Sequence, residues 1–153
     1  MRRPAVLALA LVAAVLPAAP AAAAAPPVRS DFAVTFPAGL YCEFPLLVES
    51  TSKVKVVERE DSTVLTAANE VLTLTDLDSG ASVGVRLGGT YRDSVLEGGG
   101  SLTVTTGRTL IATPTTGVTL LVGRFEATRG ADGALLGGFV GSGRQVQLCD
   151  QLG

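Results

Sequence analysis

The apolar and polar positions of this chain follow two regimes. Residues 5–16 form a nearly unbroken apolar run behind Arg2 and Arg3, stopped by Pro17 and followed by alanines from Ala21 to Ala25. Beyond that run the dominant period is two, the period of a strand with one buried face. "CEFPLLV" places Cys42, Phe44, Leu46 and Val48 on one side. Pro45 has no N–H to give to a ladder, so it predicts an edge strand or a bulge there. "KVKVVER" sets Val54 and Val56 against Lys53 and Lys55, and "VLTLTD" brings Leu72 and Leu74 into phase. "ASVGVRL" alternates Val83, Val85 and Leu87 with Ser82, Gly84 and Arg86. "STVLTA", "SLTVTT", "ALLGGFVG" and "RQVQLC" are further short runs, and their Val and Thr favour a pleated backbone. "GVTLLVGRFEAT" is the longest run; its phase changes at Leu120–Leu121, which predicts a bulge or bend.

Turn residues punctuate these runs at Glu60-Asp61-Ser62, Ala68-Asn69, Asp78-Ser79-Gly80, Gly107, Thr116-Gly117, Ala131-Asp132-Gly133 and Ser142-Gly143. Asp-Gly and Ser-Gly supply the positive φ that tight hairpins need. "GGGS" (Gly98 to Ser101) reads as a loop dividing the domain into two sheets or halves. No window after residue 25 carries a helical period. About eight to ten short strands at this spacing predict an all-β domain, a single antiparallel β-sandwich or small β-barrel.

The N-terminal regime has the anatomy of a secretory signal peptide: a basic start, an apolar stretch and a small-residue cleavage zone. Its apolar run, about twelve residues, is too short to span a bilayer comfortably. The expected organisation is a cleaved signal peptide over 1–25 and a secreted all-β domain over 26–153, with no membrane span after cleavage. The mature part has about 128 residues, one domain's worth. It keeps all 14 acidic residues and loses two of the 12 basic ones, Arg2 and Arg3. That acidity argues against a nucleic-acid partner, which rewards clustered Lys and Arg. The only lysines, Lys53 and Lys55, belong to no larger basic block along the chain.

Cys42 and Cys149 are the only two cysteines. Two thiols carried into an oxidising compartment within one domain are expected to pair. The bond would tie the first long strand to the end of the last.

"YCEFPLLVES", "LTLTDLDSGASVGV", "GRFEATRGADG" and "LCDQL" together resemble an uncharacterised group of small secreted β-rich proteins of actinobacteria. These have a signal peptide, an early cysteine before an apolar strand, hairpins closed by Asp-x-x-Gly or Asp-Gly, and a cysteine near the C-terminus. The resemblance spans most of residues 41 to 152. It implies a secreted β domain with one disulfide and supplies no active-site residue.

The candidate chemistry is sparse. The chain has no histidine, so triads and imidazole-ligated metal sites are excluded. It has no tryptophan, which argues against stacking platforms for sugars or single-stranded nucleic acid. "GGFVGSGR" lacks the spacing and the Lys-Ser/Thr ending of a P-loop. Asp76-Leu77-Asp78-Ser79-Gly80 offers oxygens at a turn but lacks the further ligands of a calcium loop, so it reads as a hairpin turn. Glu43 and Glu49 are the candidate pair for carboxylate hydrolysis, but as alternating strand positions they read as solvated. Tyr41, Phe44, Tyr91 and Phe125 read as core or rim packing. The segment Gly88 to Gly100 is long for a hairpin connection, which makes it a candidate contact loop presenting Tyr91 and Arg92. Pro114 to Gly117 is a second such loop.

These features predict a non-catalytic binding or cell-envelope-associated module with no cofactor and no metal. Its partner would be a protein, a wall polymer or a small apolar ligand. The competing expectations are a histidine-free carboxylate-dependent hydrolase and a small-barrel carrier of an apolar ligand.

Overall fold

The computed structural model describes residues 26–153, so the signal-peptide expectation for 1–25 lies outside the described residues. Among the described residues seven antiparallel strands run in chain order through one open sheet, each paired to the next. They are β1 (Val28–Phe36), β2 (Leu46–Glu58), β3 (Ser62–Asp76), β4 (Ser82–Val95), β5 (Ser101–Thr113), β6 (Gly117–Arg129) and β7 (Leu135–Gln147), followed by a 3-10 turn, Cys149–Gln151. The all-β expectation holds, with fewer and longer strands than the sequence suggested. No helix among the described residues is long and apolar enough to cross a membrane.

The strands are long because several residues read as turns lie inside them. Asn69 takes φ 54° within β3. The pairing steps there from Ala67↔Gly89 to Glu70↔Leu87, the offset of a β-bulge. The extra residue reverses the alternation, so Ala67 below it and Leu72 and Leu74 above it are all buried. "STVLTA" and "VLTLTD" are therefore one strand. Gly107 and Ser142-Gly143 are likewise strand positions. Gly89, Gly107, Gly123 and Gly143 pair with one another in a row across β4 to β7. A Cβ at Gly107 would stand 2.5 Å from the Gly88 carbonyl oxygen, and one at Gly123 would press into the Ser142 carbonyl. Only glycine lets the backbones approach this closely, and such rows mark where a sheet bends.

Other expectations are corrected by the same register. Pro45 precedes β2, which is flanked by β1 and β3, so it marks no edge strand. Its carbonyl accepts the Leu77 N–H across the top of the β2–β3 pair. Phase changes at Leu120–Leu121 without a bulge: β6 pairs continuously with β5 from Gly117 to Arg129. The cause is burial on both faces. Val118 and Leu120 join the main cluster, while Leu121 and Phe125 pack with Ile111 and Phe139. The bulge comes later, between Glu126 and Thr128. "GGGS" closes the β4–β5 hairpin and divides nothing, since the sheet continues across that pair.

The main core collects Leu46, Val48, Leu72, Leu74, Val85, Leu87, Val118, Leu120, Leu148 and Leu152. Strands β2, β3, β4 and β6 are not all neighbours in a flat sheet. Their residues meet only because the sheet curls, as strongly twisted sheets do. Cys42 and Cys149 form the expected disulfide, with Cα atoms 5.6 Å apart. It ties the β1–β2 connection to the segment after β7, joining the two ends of the curl.

Candidate functional site

The concave side of the curl holds a cavity of about 220 Å³. Six strands line it: Phe32, Val34 and Phe36 from β1, Val48 from β2, Glu70 and Leu72 from β3, Tyr91 from β4, Leu110 and Ala112 from β5, and Val118 from β6. Alternation explains the first strand's share. Phe32, Val34 and Phe36 are spaced by two in "VRSDFAVTF", so one face of β1 is apolar; Val34 and Phe36 are half-buried against the concavity and Phe32 stays exposed at its mouth.

Two polar side chains define the cavity's chemistry. Glu70 shares the face of Leu72, two residues on, and the Asn69 bulge brings both into phase with the buried Ala67. Its carboxylate accepts a 2.6 Å hydrogen bond from the Ser50 hydroxyl, and Ser50 is buried. Tyr91 is half-buried beside it. Its hydroxyl donates to the Leu110 carbonyl at 2.8 Å and accepts from the Leu110 N–H at 2.9 Å.

This pair of hydrogen bonds has a topological cause. The last β4–β5 pair is Gly88↔Arg108, and beyond it the two strands part. Leu110 thus has backbone groups with no partner on β4, and the tyrosine hydroxyl satisfies both of them. Burial raises the Tyr91 phenol to about 12, opposed by the Leu110 hydrogen bond and assisted by the Glu70 charge. The phenol is neutral and fully engaged, so it fixes the cavity wall. Glu70 is the polar group facing the cavity that can meet a ligand.

The candidate contact loop is corrected here. Tyr91 and Arg92 lie within β4, and the connection is only Leu96–Gly100. Gly88 and Gly89 read as loop residues because of their type. In the fold Gly89 is a strand position, where a Cβ would stand 2.5 Å from the Thr106 carbonyl oxygen. The structure therefore places Tyr91 in the cavity wall and leaves Arg92 exposed on the strand. Pro114 to Thr116 does connect β5 to β6.

Glu43 and Glu49 occupy different places. Glu43 precedes β2, lining a recess beside the disulfide with Tyr41 and Asp150. Glu49 is exposed on β2, opposite Ala33 and Thr73. At the Asp76 turn, the carboxylate accepts the Asp78 N–H at 2.8 Å and the Ser79 hydroxyl at 2.6 Å. These bonds, led by the Ser79 hydroxyl, lower the Asp76 carboxyl below its usual value, burial opposing them. Its oxygens thus close the hairpin turn. Among the described residues no three His, Cys, Asp or Glu side chains are grouped as metal ligands. Phe125 is core, and Tyr41 and Phe44 pack against the main cluster, as read.

Fold and site together define an all-β domain: a single curled up-and-down sheet, closed by a disulfide, around a small apolar cavity with one carboxylate. No protein-family model matches the chain, and neither a curated protein nor a solved structure does.

Proposed function

We propose that this chain is a secreted, non-catalytic domain that binds a small apolar ligand in the cavity of its concave face. The observation that carries the reading is the lining: apolar side chains from six strands converge on one concavity that offers a single carboxylate, Glu70. Pockets of this composition are the usual form of small-ligand sites. The size selects the ligand. An apolar cavity of about 150 Å³ holds benzene, so about 220 Å³ suits one ring with a short substituent. Glu70, held by Ser50, favours a substituent that donates a hydrogen bond or carries positive charge. Carboxylate hydrolysis would need a second carboxylate at the site. The disulfide supports export, since such bonds persist in oxidising compartments.

The test is calorimetric titration with three probes: benzylamine, toluene and benzoate. Benzylamine binds best, toluene less well and benzoate worst. Ala112→Trp, which fills the cavity, removes binding of all three. Glu70→Gln removes the advantage of benzylamine over toluene. No saturable binding of benzylamine at millimolar concentration, or binding unaffected by Ala112→Trp, contradicts the proposal.

A further inference from the structure

The sheet assembles a cationic surface that the linear sequence disperses. Arg29 on β1 pairs directly with Lys53 on β2, and Lys55 lies two residues along the same strand. All three line a cleft of about 580 Å³ with Thr51, Thr66 and Asn69. Asp31 takes the Arg29 guanidinium and the Ser52 N–H. Neither lysine has an ion-pair partner among the described residues. Asn69 also lines a second recess with Arg86, Gly88 and Arg108, so the two positive depressions adjoin.

Beside them runs a straight track. Lys55 pairs with Thr66, Thr66 with Thr90, Thr90 with Thr106, and Thr106 with Arg124. These residues alternate with Leu65, Ala67, Tyr91 and Thr105, and Ala67 and Thr105 are buried, so the track lies on the outward face. At about 4.8 Å per strand it is roughly 19 Å long. It presents a hydroxyl on each of three successive strands between Lys55 and Arg124, the latter paired with Glu126.

We infer that this outward face binds an acidic polysaccharide laid across the strands. The cations meet its carboxylates and the threonine hydroxyls meet its sugar hydroxyls. Charge complementarity selects an anion, because Lys53 and Lys55 have no ion-pair partner among the described residues and the track itself holds no carboxylate. The linear hydroxyl track selects an extended polymer of sugars. Recognition on this face rests on charge and hydroxyls alone, since the track has no aromatic side chain on which a sugar or a base could stack.

Polygalacturonate is the probe, with neutral dextran, duplex DNA and anionic phospholipid vesicles as comparisons. The purified chain binds polygalacturonate at low salt, and affinity falls at least tenfold between about 50 and 200 mM salt, as for other multi-contact polyanion complexes. The pair Lys53→Glu with Lys55→Glu loses at least tenfold. The pair Arg59→Glu with Arg129→Glu, an equal charge change placed just after β2 and at the last residue of β6, loses less than threefold. Both pairs are checked for unchanged circular dichroism, and Lys53→Gln with Lys55→Gln serves as a milder variant. Absence of polygalacturonate binding at low salt overturns the inference. So does an equal loss in both reversed pairs, or affinity for DNA or vesicles that matches or exceeds that for polygalacturonate.

Discussion

Replacing Cys42 and Cys149 together by serine removes the one covalent link between the ends of the curl. The closed loop spans 107 residues. In the chain-entropy treatment, cross-linking a loop of that length lowers the denatured-state entropy enough to stabilise the fold by about 4.8 kcal/mol at 25 °C. Strain-free native geometry is required for the full value, and the 5.6 Å Cα separation lies in the ordinary range. For a domain of about 128 residues, 1 kcal/mol corresponds to roughly 3–4 °C in melting temperature. The double variant should therefore melt roughly 15–20 °C lower. The location adds to the effect. Cys42 is buried against the main cluster, and the segment that Cys149 anchors carries Leu148 and Leu152, both in the core. The assay is urea and thermal denaturation of wild type, reduced wild type and the double variant. Reduced wild type and variant should coincide. A melting-temperature loss under about 4 °C would refute the argument that the bond closes the curl. It would mean that β1, β7 and the C-terminal segment hold their places through packing alone.

Tyr91→Phe leaves the Leu110 N–H and carbonyl unpaired where β4 and β5 part, and should cost about 1–3 kcal/mol in urea denaturation. Because folding raises the Tyr91 phenol to about 12 from 10.0, its contribution is complete below about pH 10 and is lost as pH rises to about 12. Tyr91→Phe should flatten that part of the stability profile, and an unchanged alkaline slope would count against it. Asp76 is the opposite case: its carboxyl is lowered, so its contribution is present above the usual value of 3.8 and is lost as pH falls through the lowered one. Asp76→Asn should reduce the loss of stability on that acid side, measured by denaturation across low pH. Gly123→Ala drives a Cβ into the Ser142 carbonyl at φ 141° and should cost more than about 3 kcal/mol or prevent folding. Gly133→Ala, at φ 79° in a turn with open space around it, should cost only about 1 kcal/mol. Equal costs at the two glycines would remove the reason given for the glycine row.

Period two made most strand faces legible. Leu46, Val48, Leu72, Leu74, Val85 and Leu87 are buried together as the alternation predicted. The pairing of Cys42 with Cys149 was also readable, because no other thiol exists. Strand ends were not readable from residue type. Asn69, Gly107 and Gly143 have the chemistry of turns, and positive φ is what they supply. Whether positive φ ends a strand or bends it depends on the neighbouring backbone, which local sequence does not encode. β1 carries a period-two signal in Phe32, Val34 and Phe36, but it is the shortest strand and follows closely on the alanine-rich segment Ala21 to Ala25. The cavity was illegible for the same nonlocal reason. Phe32, Glu70, Tyr91 and Val118 are far apart in sequence and meet only when the sheet curls. Glu70 had a further disguise, since the one-residue bulge at Asn69 puts it on the face its spacing from Ala67 would deny it. Arg29 and Lys53 met through register alone.

The most direct test of the account is whether a small ring-bearing ligand enters the concave cavity. Proton nuclear Overhauser contacts should be measured between the aromatic protons of bound benzylamine and the methyl groups of the isotope-labelled protein. Contacts to Val48, Leu72, Leu110 and Val118 are expected, and they should vanish in Ala112→Trp. Contacts to methyl groups outside that lining, or none at saturating benzylamine, would contradict the central claim.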